Sequence, residues 1–180
     1  TGSRFDPVPI AHDVPEQTAR LISEDSLTLP GVEVEVEARR NYLYGSLLTQ
    51  LIGWTGSIDA AGYASLKSDG YLPDDRIGKA GVESVYESTL RGTYGVREVE
   101  KDGTGRTLRA LSTTVAPQAG NSLVLTIDTK EQRLAQQALE WGLKKAGLKR
   151  GAIVVMNPQT GEVLAMVSRP AFDPNLFTTG

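Results

Sequence analysis

Apolar positions recur along this chain in helical, alternating and continuous patterns, and each pattern predicts an element. Between residues 78 and 95, Val82, Val85, Tyr86 and Leu90 fall at i, i+3, i+4 and i+8. That is the spacing of one apolar helix face. Gly78 and Gly81 punctuate its start, Gly92 and Gly95 its end, and Glu83 and Arg91 sit in the first and last turns, where they suit the helix dipole. Val32, Val34 and Val36 alternate with Glu33, Glu35 and Glu37. Period two predicts a half-buried strand with an acidic face, which Arg39 and Arg40 are placed to balance. Residues 47–52 form a short apolar helical segment closed by Gly53. Leu123, Leu125 and Ile127 alternate as a second short strand. A long helix follows over 129–146, with Leu134, Ala138, Trp141 and Lys145 down one side and Leu139 and Leu143 beside it. Residues 152–156 and 163–167 are two aliphatic strands joined by a proline-containing turn at 157–161, a hairpin.

Breakers and caps divide the rest. Pro7, Pro9 and Pro15 give an extended start, and Asp13 with Glu16 has capping-box spacing before a helix carrying Ala19, Leu21 and Ile22. Leu29-Pro30-Gly31 is a turn. Ser57-Ile58-Asp59 opens a helix through Leu66, which Gly70 to Pro73 breaks, and Asp74-Asp75-Arg76 is a charged turn. Strands are predicted over 94–99 and 106–115, with a hairpin turn at 102–105 between them. Residues 117–120 read as a linker, which divides the chain into 1–119 and 120–180. Asp128 and Glu131 make a second capping box, and Lys144, Lys145 and Gly147 suit the C-terminal end of that helix. Residues 168–175 form an ordered loop. The fold class is α+β: an N-terminal module of short strands and helices, then a helix and a β-hairpin.

Composition removes several classes of function. The net charge of -3 is small and its charges are interspersed, which argues against a nucleic-acid-binding stripe. Without cysteine there is neither a disulfide framework nor a thiolate metal site. His12 is the only histidine and has no neighbouring ligand set, so no metal and no cofactor is expected. No apolar run approaches the ~20 residues of a membrane span. Arg40 offers a forked donor that can pin a loop to a carboxylate, and Tyr42 a ring with one hydrogen-bonding hydroxyl.

Two strings resemble family motifs. Residues 78–95 follow G-x-x-G-[VL]-E-x-x-Y-[ED]-x-x-L-x-G-x-x-G, and residues 40–45 follow R-x-Y-P-x-G with Leu43 in place of the proline. Both are similar to motifs in the non-catalytic N-terminal module of class B penicillin-binding proteins. Residues 125–128, 151–158, 160–168 and 170–175 resemble the opening of the transpeptidase domain of that family. Leu29-Pro30-Gly31-Val32, and the stretch from Gly70 into Ile77-Gly78-Lys79, fit the penicillin-binding protein 2 type, the elongation enzymes of rod-shaped cells.

The resemblance implies a pedestal or dimerisation module over 1–119 and the start of a transpeptidase-type α/β sandwich over 120–180. Family members carry a membrane anchor and an Arg-Gly…Asp-Arg-x-Gly segment before this region, so the module is expected to be incomplete at its N-terminus. Their acyl transfer uses a serine in S-x-x-K, with S-x-N and K-[ST]-G. None of these motifs occurs here, and the nucleophile is expected beyond residue 180. No catalytic residue is assigned, and neither transpeptidation nor penicillin acylation is expected of this chain. Ser168 reads as a strand-end hydroxyl.

The residues expected to join the module to the catalytic domain are Arg40, Tyr42, Gly45, Gly78, Gly81, Glu83, Tyr86, Leu90, Gly92 and Gly95, with a direct Arg40–Glu83 ion pair. Partners implied by the resemblance are the transpeptidase domain itself, a SEDS-family polymerase and the rod-complex scaffold protein. The implied location is extracytoplasmic, in the periplasm or on the outer face of the cell membrane. Two alternatives stay open: an enzyme with an unrecognised site, and a peptidoglycan-binding module using the Glu33/Glu35/Glu37 face or the Pro170 loop. Strands as aliphatic as those of the hairpin are normally buried on both faces. Two strands and one helix do not cover them. The hairpin is therefore expected to be partly disordered, or covered by a second copy of the chain through 152–167.

Overall fold

The computed structural model describes residues 8, 10–11, 14–25, 28–29, 31–36, 39–101 and 107–178. In chain order the elements are α1 (Glu16–Glu24), a 3₁₀ turn (Gly45–Leu47), α2 (Thr49–Ile52), β1 (Trp54–Ser57), α3 (Ala60–Leu66), a second 3₁₀ turn (Lys67–Asp69), β2 (Arg76–Ala80), α4 (Gly81–Val85), α5 (Glu87–Leu90), β3 (Val96–Lys101), β4 (Thr107–Val115), α6 (Thr129–Ala146), β5 (Gly151–Met156), β6 (Val163–Arg169) and a third 3₁₀ turn (Pro174–Phe177). They fall into two compact units, Thr1–Ala38 with Tyr94–Pro117, and Arg39–Thr93 with Gln118–Gly180.

In the first unit, β3 and β4 pair antiparallel, from Val96 opposite Val115 to Lys101 opposite Thr107. Helix α1 begins at Glu16 with Pro15 as its cap residue, and the Pro15 carbonyl accepts from the Ala19 amide at 2.9 Å. Residues 32–36 form no strand. Alternation alone makes a chain extended; a strand also needs a partner ladder. Pro7, Pro9, His12, Asp13, Pro30, Glu37, the turn expected at 102–105 and Arg106 lie outside the described residues.

The second unit rests on α6 and the β5–β6 hairpin. Asp128 caps α6 by accepting from the amides of Lys130 and Glu131 at 2.7 and 3.2 Å, and Gly147 ends it in the left-handed conformation. The buried stripe is Gln132, Ala135 and Leu139, continued by the half-buried Leu143, while Leu134 and Trp141 are exposed. The expected stripe of Leu134, Ala138 and Trp141 is therefore turned outward. Ala165 and Val167 of β6 are the partners that decide this, because they pack on Ala135 and Leu139. Ile153 and Val155 join the same core. A fully buried Leu or Val among them contributes about 1.5–3 kcal/mol.

The hairpin is ordered from Gly151, opposite Arg169, to Met156, opposite Val163. This corrects the expectation of partial disorder. One face packs on α6, and burial alternates along β5, leaving Ala152, Val154 and Met156 exposed. The expected strand at 123–127 is absent. That stretch touches β6 through the Asp128 amide on the Leu164 carbonyl (2.9 Å) and the Thr126 hydroxyl on the Val163 carbonyl (2.6 Å), too few bonds for a ladder. Strands β1 and β2, which pair antiparallel, were not foreseen by the periodicity.

Candidate functional site

The predicted single helix over 82–90 is two short helices broken at Tyr86. Its buried residue is the acidic Glu83, 5% exposed, whereas Val85 is 75% and Tyr86 46% exposed. Close backbone packing explains the inversion. At Gly81 φ is +61°, and an added Cβ would stand 2.5 Å from the Leu51 carbonyl oxygen. At Gly78 a Cβ would stand 2.1 Å from the carbonyl oxygen of Glu83 itself. Only glycine admits these approaches. They press the first turn of α4 onto α2 and β1–β2, so the residue after Val82 faces inward.

Glu83 meets Arg40 there, with Nε to Oε1 at 3.1 Å. The expected ion pair is present. Tyr42 is buried, and its hydroxyl accepts from the Thr55 amide of β1 at 3.1 Å. Burial pushes the Glu83 carboxyl above its ordinary range, against the pull of Arg40; Glu87 adds to the rise and the Tyr42 hydroxyl opposes it. Burial also raises the Tyr42 phenol. Glu87 accepts from the Gly78 amide at 2.8 Å and from the Tyr71 hydroxyl at 3.4 Å. Arg91 donates to the carbonyls of Asp69 and Gly70 at 2.9 and 2.6 Å, and lies 3.4 Å from the centre of the Tyr71 ring. It locks the 69–75 turn rather than simply complementing a helix dipole. A cavity of about 290 Å³ lies at the tyrosine-bearing loop, lined in part by Arg40, Tyr42, Leu48, Glu83 and Pro174.

A second set of contacts ties this cluster to residues 118–178. Asn175 reads the backbone of Tyr42 at both ends, accepting from its amide at 2.9 Å and donating to its carbonyl at 3.0 Å. Gln132, 0% exposed, donates to the carbonyls of Leu47 and Met166 at 2.9 and 2.7 Å and accepts from the Met166 amide at 2.8 Å. The Thr49 hydroxyl donates to the Phe172 carbonyl at 2.5 Å. Arg76 donates to the carbonyl of Thr55 at 3.1 Å and to that of Phe177. The Phe177 ring lies 4.5 Å from that of Trp54.

Of the remaining expected residues, Gly45 sits beside Asp173, and Leu90 is half-buried with its carbonyl against Gly120. Gly92 abuts the Gln118 carbonyl. Gly95 belongs to the other unit, beside Pro117. The sequence reading missed Gln132, Asn175 and Thr49. Gln132 carried a usable signal: it lies at i−3 and i−7 from Ala135 and Leu139, a single amide in an apolar stripe. Among the described residues no group of three His, Asp or Glu side chains is placed to hold a metal ion.

Residues 1–125 match the family model of the penicillin-binding protein dimerisation domain. The chain belongs to the penicillin-binding proteins. Residues 151–179 match the penicillin-binding protein transpeptidase domain. The chain is 40% identical over 181 residues to the peptidoglycan D,D-transpeptidase MrdA of Escherichia coli (strain K12), covering 98% of this chain and 27% of MrdA. It therefore spans roughly a quarter of that relative's length. Among solved structures, a penicillin-binding protein 2 in complex with MreC from Helicobacter pylori matches with a TM-score of 0.73 at 23% identity, over 99% of this chain and 32% of the other. That likeness speaks for the fold. A structure described as the structural coordination of polymerization and crosslinking by a peptidoglycan synthase complex matches at 35% identity with a TM-score of 0.68, over 91% and 30%. The α+β architecture of this penicillin-binding protein chain, with pedestal elements and the opening of a transpeptidase domain, is that of its structural neighbours.

Proposed function

We propose that residues 1–180 are a non-catalytic portion of a peptidoglycan D,D-transpeptidase of the penicillin-binding protein 2 type, acting as pedestal and partner-docking module. The observation that carries this reading is the pair of amide clamps. Asn175 on Tyr42 and Gln132 on Leu47 and Met166 fasten the R-x-Y loop to the strand and turn that open the transpeptidase portion. A pedestal needs such a rigid seat. In this reading the two portions divide near residue 119, in accord with the reach of the dimerisation match to 125 and the transpeptidase match from 151. Arg40, Tyr42, Gly45, Gly78, Gly81, Glu83, Tyr86, Leu90, Gly92 and Gly95 are then structural residues of the module. The glycines admit close backbone packing, and Arg40 and Glu83 fix the loop that Asn175 grips.

The partners are the transpeptidase domain of the same protein, a SEDS-family polymerase and the rod-complex scaffold protein, and the location is extracytoplasmic. Relatives within a peptidoglycan synthase complex, and a like fold seen with MreC, support these assignments. No helix among the described residues is long and apolar enough to cross a membrane.

Fluorescent penicillin labelling tests the reading. The longer protein is expected to be acylated, and residues 1–180 alone are not. Stable acylation of the 180-residue chain, or none of the longer protein, overturns it.

A further inference from the structure

Helix α6 carries a second apolar face. Gln132, Ala135 and Leu139 turn toward the hairpin, while Leu134 and Trp141 stand on the opposite side, 58% and 66% exposed. Leu148, 62% exposed, follows directly on the Gly147 cap. Cations accompany this face. Lys145 Nζ lies 4.9 Å from the centre of the Trp141 ring. Lys144 shares the last turn, and Lys149 and Arg150 follow the end of the helix; all four are exposed. Residues 141–161 contain these cations and no Asp or Glu, although the chain as a whole carries a net charge of -3. Glu140, the carboxylate just before them, is held by Arg169 at 2.6 Å. Among the described residues none of the four cations is paired with a carboxylate.

An exposed indole and leucine among unpaired cations call for apolar burial and for counter-charge together. The surface of an anionic bilayer supplies both, because an indole settles at the headgroup level while lysine and arginine meet the phosphates. The outer side of a helix is convex, and a planar surface meets it along its length, whereas a glycan or peptide strand draws its contacts from a cleft. A second copy of the chain on the same face would set four cations against four, which repel. We propose that the outer face of α6 binds the surface of an anionic phospholipid membrane, with Trp141 and Leu148 as its apolar contacts and Lys144, Lys145, Lys149 and Arg150 on the headgroup phosphates. The attachment is peripheral, with α6 lying along the surface.

Vesicle binding by residues 1–180 tests this. The chain has two tryptophans, so Trp54→Phe leaves Trp141 as the only indole. On vesicles of equal parts phosphatidylglycerol and phosphatidylcholine, Trp141 emission is expected to shift to the blue, and brominated lipid to quench it. Co-sedimentation of the unsubstituted chain gives a second readout. Each of the four cations exchanged for glutamine is expected to weaken partitioning about five-fold, and Trp141→Ala about ten-fold. Raised salt should weaken it as well, by screening. These side chains are exposed, so thermal melts of the variants should stay near that of the parent chain. Equal binding to vesicles of phosphatidylcholine alone overturns the proposal, as does partitioning indifferent to the lysine and arginine exchanges. Tighter binding to purified peptidoglycan than to the anionic vesicles overturns it in favour of a glycan ligand. A structure of the longer protein with Trp141 buried under another of its segments overturns it too.

Discussion

Arg40 Nε stands 3.1 Å from Glu83 Oε1, and this pair joins the tyrosine-bearing loop to the glycine-bracketed helix. Glu83 is buried and Arg40 partly exposed, so the two ends of the pair are unequal. Removing the exposed end strands a charge, and removing the buried end does not.

Arg40→Ala is therefore expected to cost about 1–3 kcal/mol, below the ~3–5 kcal/mol of fully buried pairs because Arg40 is partly solvated. Arg40→Lys should recover part of the loss, since it keeps the charge but not the planar fork. Urea unfolding of the three proteins measures both effects.

The pH dependence follows from the raised Glu83 carboxyl. Its folded value lies above the ordinary 4.5, so between those two values the folded state binds more protons than the unfolded state. Stability due to Glu83 should therefore rise as pH falls from neutrality through the folded value, and level off below about 4.5. Relative to Glu83→Gln, which does not titrate, the wild type should gain stability over that window. A difference that instead shrinks on acidification would show that Arg40 outweighs burial.

Gln132→Leu is expected to cost about 2–4 kcal/mol, because it leaves the Met166 amide and the Leu47 and Met166 carbonyls without their partner inside the protein. Hydrogen exchange at the Met166 amide should quicken more than at amides in the middle of α6. Unchanged exchange there would mean that β6 holds its position without the clamp.

Gly78→Ala should be among the most damaging small substitutions, at more than about 3 kcal/mol, since the new Cβ meets a backbone carbonyl 2.1 Å away. Gly142→Ala, where nothing lies within 4 Å of a new Cβ, serves as the matched control and should be neutral or slightly stabilising. Thermal melts of the two variants decide this.

Asn175→Asp keeps the acceptor for the Tyr42 amide but removes the donor to the Tyr42 carbonyl and to Asp173, placing a second carboxylate beside Asp173. A loss of about 1–2 kcal/mol is expected, smaller in high salt, where the repulsion between the carboxylates is screened.

Local chemistry alone fixed several caps and stops of this chain: Asp59 before α3, Asp128 before α6, Gly147 after it, and the β5–β6 turn. These depend on residues within a few positions of one another, so they are legible in one dimension. The same holds for the motif strings that mark a penicillin-binding protein, and the Arg40–Glu83 pair was foreseen from them. Which face of a helix is buried was not legible. Val85 and Trp141 had the stronger apolar claim, yet Glu83 and Gln132 are inside, because distant backbone decides it: the carbonyls of Leu47, Leu51 and Met166, and the small Ala165. Strands β1 and β2 were missed, and those at 32–36 and 123–127 wrongly expected, for the same reason. Alternation reports what a chain is able to pair with, and only the assembled fold supplies, or withholds, the partner.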